Sequence, residues 1–319
     1  MKKYLMPILL CSFLLLLPGC GISDKAEPPE GSEVLQQTID QLSKINSYEL
    51  TISKEQISTM NDKLITAQKM TNQKVVLEPF VLWSRTDSAS TRMYEEGQDR
   101  TLSESYQVLN GDQLDMFMRF SSAEEVPAGR ETALGEWNKV TTSNKEQADW
   151  VKDAVRNNLE AQLYLLSSNI ESFELVESNG NPGENLLKYE GYLDQTTILK
   201  TYKKYIRVMY VAAGLLKESK EMTLGDLKVE IIGGEVLEIK EGIPKLAYSE
   251  MPVPVTLWVD ENTYELKKVM IDETAVMQAY MEKEMPKINS DFKDPVVSKA
   301  LLLYEIGSMD KITEIPMPD

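Results

Sequence analysis

Residues 253–272, VPVTLWVDENTYELKKVMID, change hydropathy at almost every step, and this period of two constrains the fold more than any other feature of the chain. Val253, Val255, Leu257 and Val259 alternate into the polar tetrapeptide DENT, and Tyr264 to Ile271 return from it. Successive side chains of a strand point to opposite faces, so the run predicts a half-buried hairpin with a four-residue turn. The same alternation marks Tyr48, Leu50 and Ile52 against Glu49, Thr51 and Ser53. Val75–Ser84 reads as another strand, and further on Leu114, Met116, Met118 and Phe120 face one way with Asp115, Phe117 and Arg119 the other.

Three stretches switch to helical spacing. The first, SEVLQQTIDQLSKI, opens on a serine cap and carries Val34, Leu35, Thr38, Ile39 and Leu42 on one side. In the second, Asn144 caps a segment with Gln147 as its capping-box partner and a stripe of Val151, Val155, Leu159, Leu163 and Leu166. The third runs from about Thr196 to Lys217 with Ile198, Tyr202, Ile206, Met209, Ala213 and Leu216 on one face. One-sided helices must cover an apolar surface, most simply a face of the sheet. The expected class is α+β.

The amino-terminal 25 residues differ in kind. Tyr4–Leu17 is apolar, preceded by Lys2 and Lys3. It is short of the roughly 20 apolar residues a spanning helix needs, and it matches the basic and apolar regions of a secretory signal. Leu17-Pro18-Gly19-Cys20 resembles the lipobox of bacterial lipoproteins, in which the cysteine receives a diacylglyceryl group and becomes the new amino terminus; Pro18 departs from the usual small residue there. The resemblance implies a signal over 1–19 and lipidation at Cys20. Two acyl chains anchor a protein stably where one binds only marginally. Residues 20–32 contain GISDKAEPPEGS, a linker composition whose extended length is at most about 40 Å. A folded domain is expected over 33–319, on the extracytoplasmic face of a cell membrane.

Composition then removes whole classes of function. The chain has 51 acidic and 34 basic residues, a formal charge of −17, and loss of Lys2 and Lys3 with the signal makes it more negative still. Such a balance argues against nucleic acid and against charge-driven docking on anionic lipid, and accounts for solubility by self-repulsion. There is no histidine, hence no Ser-His-Asp triad, no Cys-His nucleophile and no imidazole metal site. Of the two cysteines, Cys11 lies in the signal and Cys20 is the acyl acceptor, so no disulfide forms within the mature chain. Carboxylate pairs are too numerous for any one to be singled out. Ser308-Met309-Asp310-Lys311 matches S-x-x-K, but no S-D-N or K-T-G follows it, and chance explains it better. SNGNPGEN (Ser178–Asn185) reads as a turn rather than a cation loop. Neither an enzyme nor a cofactor is expected.

The lipobox, the proline-containing linker, a helix running through INSYEL into alternating strands, and GEWNKV (Gly135–Val140) together resemble the LolA/LppX-like superfamily. LLKYEGYL, TLWVDENTYELKKVMID and the closing DKITEIPMP look like an uncharacterised Gram-positive branch of it. The resemblance implies a curled antiparallel sheet forming an open half-barrel, with helices on its concave side. It also implies carriage of lipids, lipoglycans or acylated proteins without metal or catalysis, and it transfers no binding residues. The residues themselves nominate Met116, Met118 and Phe120 on a strand, with Tyr202, Ile206 and Met209 on a helix, as the lining of an apolar cleft. The same side chains would equally fill a closed core, and Trp83, Trp137 and Trp258 suit a core or rim. Two readings stay open: a tethered carrier or receptor for an amphiphile, and an envelope lipoprotein that binds a protein partner through its acidic surface.

Overall fold

The structure, a computed structural model, describes residues 32–91, 98–111, 113–121, 134–142, 170–176, 185–193, 199, 203, 220–224, 227–232, 235–241, 252–288 and 294–316. In chain order the described elements are helix α1 (Ser32–Leu42) and strands β1 (Ser47–Met60), β2 (Lys63–Val76), β3 (Val81–Thr91), β4 (Gln98–Asn110) and β5 (Gln113–Phe120). Then come β6 (Asn138–Thr142), a single 3₁₀ turn at Ile170–Ser172, β7 (Glu174–Val176), β8 (Leu186–Leu193), β9 (Lys220–Leu224), β10 (Leu227–Ile232) and β11 (Glu235–Glu241). The chain closes with β12 (Val253–Asp260), β13 (Leu266–Asp272), helix α2 (Thr274–Ile288) and β14 (Val296–Met309).

Eleven strands make one antiparallel sheet in the order β6-β5-β4-β3-β2-β1-β14-β13-β12-β8-β7, and β9, β10 and β11 make a second. The large sheet does not close into a barrel among the described strands, and the α+β class expected from the alternating runs is the one observed. The chain divides into two compact units, one of Met1–Lys44, Asp149–Val255 and Val259–Glu265, the other of Ile45–Ala148, Thr256–Trp258 and Leu266–Asp319.

In the second unit β1 to β5 form an up-and-down meander whose turns are written locally. Asn61 and Asp62 both adopt positive φ, 49° and 60°, between the paired residues Met60 and Lys63. Two left-handed residues in a two-residue loop match the right-handed twist of the flanking strands, and Asn and Asp tolerate that region better than most. Gly111, at φ 61°, follows β4 and needs no Cβ in the same region. The expected strand Val75–Ser84 is instead two strands. β2 ends at Val76 and β3 begins at Val81, with a turn over Leu77–Phe80. Pro79 has no N–H to give to a ladder, and Leu77 and Phe80 are buried on either side of Glu78 and Pro79, so apolar character flanks the turn on both sides. β14 then pairs along β1 with two register shifts and is flanked on its other side by β13.

Helix α2 was not legible from the stripe test. Its apolar residues Val276, Met277, Tyr280, Met281, Met285 and Ile288 recur at helical spacing, but Pro286, a residue that usually ends a helix, sits in its last turn. Its start is nevertheless encoded: Asp272 Oδ1 accepts the backbone N–H of Thr274 at 2.9 Å, a capping interaction that satisfies an otherwise orphan donor. Met281 then packs with Met60, Val297 and Ala300, and Ile65, Met277 and Tyr280 border that cluster.

The first unit contains α1, and the expected apolar stripe is the one that is buried: Leu35, Thr38 and Leu42 are almost wholly enclosed. Thr38 Oγ1 donates to the carbonyl of Val34, which lets a polar residue sit inside. Gln41 Nε2 donates to the carbonyl of Thr263 at 2.5 Å, and the amide of Glu261 donates to the carbonyl of Asn185 at 2.8 Å. The turn after β12 is the expected polar one, with Asp260 Oδ1 accepting the amides of Asn262 and Thr263. Gly191 on β8 is required by contact, since a Cβ there would stand 2.6 Å from the Phe173 ring and 2.8 Å from the Ser172 carbonyl. The expected helix at 144–166 and the turn at 178–185, apart from Asn185, lie outside the described residues. Of the expected helix at 196–217, Leu199 and Lys203 are described, and both are helical.

Candidate ligand-binding face

Within the second unit the registers of β1 to β5 and β14 assign every side chain to one of two faces. One face carries Met116 and Met118. Crossing the sheet from β5, Met118 lies beside Ser105, Ser84, Gln73, Leu50 and, at the far strand, Ile306. One row along, Phe120 leads to Ser103, Thr86, Thr71, Ile52 and Tyr304. The methionine face therefore has apolar margins at β5 and at β1–β14 and an uncharged floor of hydroxyls and amides on β2, β3 and β4. Thr71 is buried and shares a 3.0 Å hydrogen bond with Thr86, while Ser84, Ser103, Ser105, Gln73 and Gln107 are half-buried.

The apolar row predicted on β5 exists and is graded. Leu114 is fully buried, Met116 and Met118 are half-buried, and Phe120 is 55% exposed. Sequence reasoning placed these four on one face, which the register confirms, but it could not foresee the gradient. Tyr202, Ile206 and Met209, nominated as the facing helix, lie outside the described residues, as does Cys20.

At the other end of β1 this face is covered by α2. Gln56 Nε2 lies 3.8 Å from Met281 Sδ, and Lys54 Nζ lies 3.6 Å from Glu273 Oε2 at the start of the helix. Lys54 stands directly opposite Lys69 on β2, which in turn stands opposite Ser88 on β3. Ser88 and Thr101 share a 2.6 Å hydrogen bond, so a row of lysine, lysine and two hydroxyls crosses four strands. These residues carry no sequence motif. Only the hydrogen-bond register across β1 to β4 places them together. Tyr48 and Tyr304 are buried on the same face. Burial raises the pKa of both hydroxyls well above the usual tyrosine value, and the charge of Glu273 adds to the effect at Tyr304.

The opposite face is a surface of paired charges and rings. Arg100 holds Asp87 through two bonds of 3.0 and 2.6 Å. Glu104 accepts from Trp83 Nε1 at 2.6 Å and from Arg119, whose guanidinium lies 4.4 Å from the centre of the Trp137 ring. The buried Asp115 accepts from Thr141 and Gln113 and meets Lys139 Nζ at 3.1 Å; those two hydrogen bonds, and then Lys139, hold its carboxyl below its ordinary value. The carboxy-terminal segment straps across this face. Ile315 packs with Val76, Tyr106 and Val108, and Tyr106 Oη donates to the Ile315 carbonyl at 3.1 Å. Asp310 Oδ1 accepts the amides of Asn46 and Ser47, so the Asp310 of the S-x-x-K match has a structural role in tying the end of β14 to the start of β1. Asp87, Glu104 and Asp115 on this face are each paired with a cation, Arg100, Arg119 and Lys139 respectively.

Among the described residues no group of three or more His, Cys, Asp or Glu could hold a metal ion, and no helix is long and apolar enough to cross a membrane. No family model matches the sequence, and no curated protein matches it. Among solved structures, the chain is similar to LprF from Mycobacterium bovis at 12% identity and a TM-score of 0.38, covering 92% of this chain and 99% of that one. A DUF1329 family protein from Desulfovibrio piger ATCC 29098 matches at 10% identity and a TM-score of 0.19, over 92% of this chain and 96% of that one. Superpositions this loose transfer neither a residue nor a ligand.

Proposed function

We propose that the protein is a membrane-tethered extracytoplasmic lipoprotein, acylated at Cys20, whose domain over 33–319 is a LolA/LppX-like half-barrel that holds an apolar or amphiphilic ligand on the methionine face without catalysing a reaction. The observation that carries this reading is the gradient along β5. A row that passes from the buried Leu114 through half-buried Met116 and Met118 to the exposed Phe120 leaves soft, adaptable apolar surface beside a polar floor. A packed core has no such floor, since buried hydroxyls and amides cost stability unless each is partnered. Catalysis is disfavoured by the absence of histidine and by the mutual pairing of the charges on the opposite face. The deciding experiment is native mass spectrometry with lipid extraction on the protein purified from its own host; a co-purifying apolar species supports the reading, and a ligand-free protein that takes up no apolar probe rejects it. The anchor is tested by metabolic labelling with a fatty acid. Cys20→Ala is expected to abolish labelling, and a labelled, membrane-bound mutant rejects the lipobox assignment.

A further inference from the structure

We infer that the methionine cluster beneath α2 binds a soft monovalent metal ion of the Cu(I) class through the thioethers of Met60, Met277 and Met281; this site is separate from the β5 row and does not rest on the ligand-binding reading above. Met277 and Met281 stand about one turn apart on α2 and share a face of the helix. Met60, at the end of β1, packs with Met281 in one buried cluster, and Met277 lies against that cluster. Three of the seven residues gathered there are methionine, in a chain with 16 methionines among 319 residues. Leucine fills a core with better-defined rotamers, so packing alone does not call for such a concentration.

A second, independent observation lies in the same place. Ser58 is 1% exposed, and its hydroxyl has no hydrogen-bond partner. It shares a face of β1 with Met60, and the residues directly opposite it, Ile65 on β2 and Val297 on β14, are both part of the methionine cluster. A buried hydroxyl is costly unless something engages it. Two residues back on that face, Gln56 Nε2 lies 3.8 Å from Met281 Sδ, a contact that engages one lone pair of the sulfur and leaves the other. The donors are therefore three thioethers and one hydroxyl oxygen, all uncharged and outside the His, Cys, Asp and Glu set. Thioethers are soft ligands that select Cu(I), whereas Ca²⁺ takes oxygen ligands and Zn²⁺ takes thiolate, imidazole or carboxylate. Met277, Tyr280 and Ile65 are half-buried, so an ion reaches the cluster along their exposed edges.

The test uses the full chain carrying Cys11→Ala and Cys20→Ala, because a free thiol would compete for the same ion. The probes are Ag(I), and Cu(I) kept reduced by ascorbate without oxygen, read by thermal midpoint and equilibrium binding. Either ion is expected to bind once per chain and to raise the midpoint by about 5 °C, while Ca²⁺ and Zn²⁺ leave it within about 1 °C. Met60→Leu and Met281→Leu conserve core volume, so the ion-free midpoint should stay within about 3 °C of the parent's. Each is expected to weaken Ag(I) binding at least about tenfold, and the half-buried Met277→Leu, the variant least able to disturb folding, should do the same. Met70→Leu, at an exposed side chain on the other face of β2, should leave binding unchanged. No midpoint shift with either ion overturns the site and leaves the three methionines as core filling. So does binding that survives all three cluster variants, and so does an equal loss in Met70→Leu, which would mark scattered surface binding.

Discussion

Lys54 Nζ lies 3.6 Å from Oε2 of Glu273, whose side chain keeps 3% of its surface exposed against 17% for the lysine. The pair joins the middle of β1 to the residue that precedes α2, at the end of the helix that covers the methionine face. Enclosed ions are costly to bring out of water and costlier to separate, since breaking such a pair leaves one charge without its counter-ion. Glu273→Gln is therefore expected to lower stability by about 3 kcal/mol, read as a shifted urea midpoint at unchanged slope. A midpoint equal to the parent's would show that the pair contributes nothing.

The buried tyrosines predict the alkaline limit of the fold. The hydroxyls of Tyr48 and Tyr304 are held above the ordinary value of 10.0 by burial, with Glu273 adding to the effect at Tyr304. Below about pH 10 both the folded and unfolded chains keep these protons, so the two groups leave stability flat. Above it the unfolded chain loses them while the folded chain does not, and stability falls as pH rises further. A spectrophotometric titration should show Tyr48 and Tyr304 ionising only together with loss of circular dichroism. Smooth ionisation of every tyrosine in a still-folded protein would contradict this.

The gradient along β5 separates core from lining. Leu114 is fully buried, and Leu114→Ala should cost about 2–5 kcal/mol by leaving a cavity. Met118 is half-buried, and Met118→Ala should cost well under about 2 kcal/mol while weakening binding of an apolar probe. Midpoint and probe affinity measured on both mutants decide the matter. Equal losses of stability with no probe bound by the parent would place Met118 in a packed core.

Ser58 offers a gain. Its hydroxyl is the one buried side-chain oxygen or nitrogen among the described residues without a hydrogen-bond partner, and it sits on the face of β1 between Gln56 and Met60. An orphan hydroxyl costs about 1–3 kcal/mol on burial, while loss of a single oxygen atom opens little space. Ser58→Ala should raise stability by about 1 kcal/mol, seen as a higher thermal midpoint. A lower midpoint would mean the hydroxyl is satisfied.

Much of the architecture was written locally. The hairpin at 253–272 could be read because its apolar residues fall on one face and its turn chemistry, Asp260 accepting two following amides, lies within four residues. Helix α1 could be read because Leu35, Thr38 and Leu42 recur at the spacing of one helical face and all three are buried. Leu77–Phe80 misled because the apolar residues on both sides of Glu78 and Pro79 outweighed that turn signal, and α2 escaped because Pro286 reads as a helix breaker inside its stripe.

The composition of the methionine face lay beyond any local reading. VLWSRTDSAST has polar residues in both alternating sets, so period two cannot say which set shares a face with Met118. That depends on hydrogen-bond register across β2, β3 and β4, where a slip of one residue would exchange the two faces entirely. The meeting of Lys54, Lys69 and Glu273 is of the same kind. A local pattern specifies which residues alternate and where a turn begins, because those energies act within a few residues. The choice of neighbours across strands and beneath a helix is made by the burial and pairing of the assembled unit, and it was that assembly which brought two lysines together in a chain otherwise dominated by negative charge.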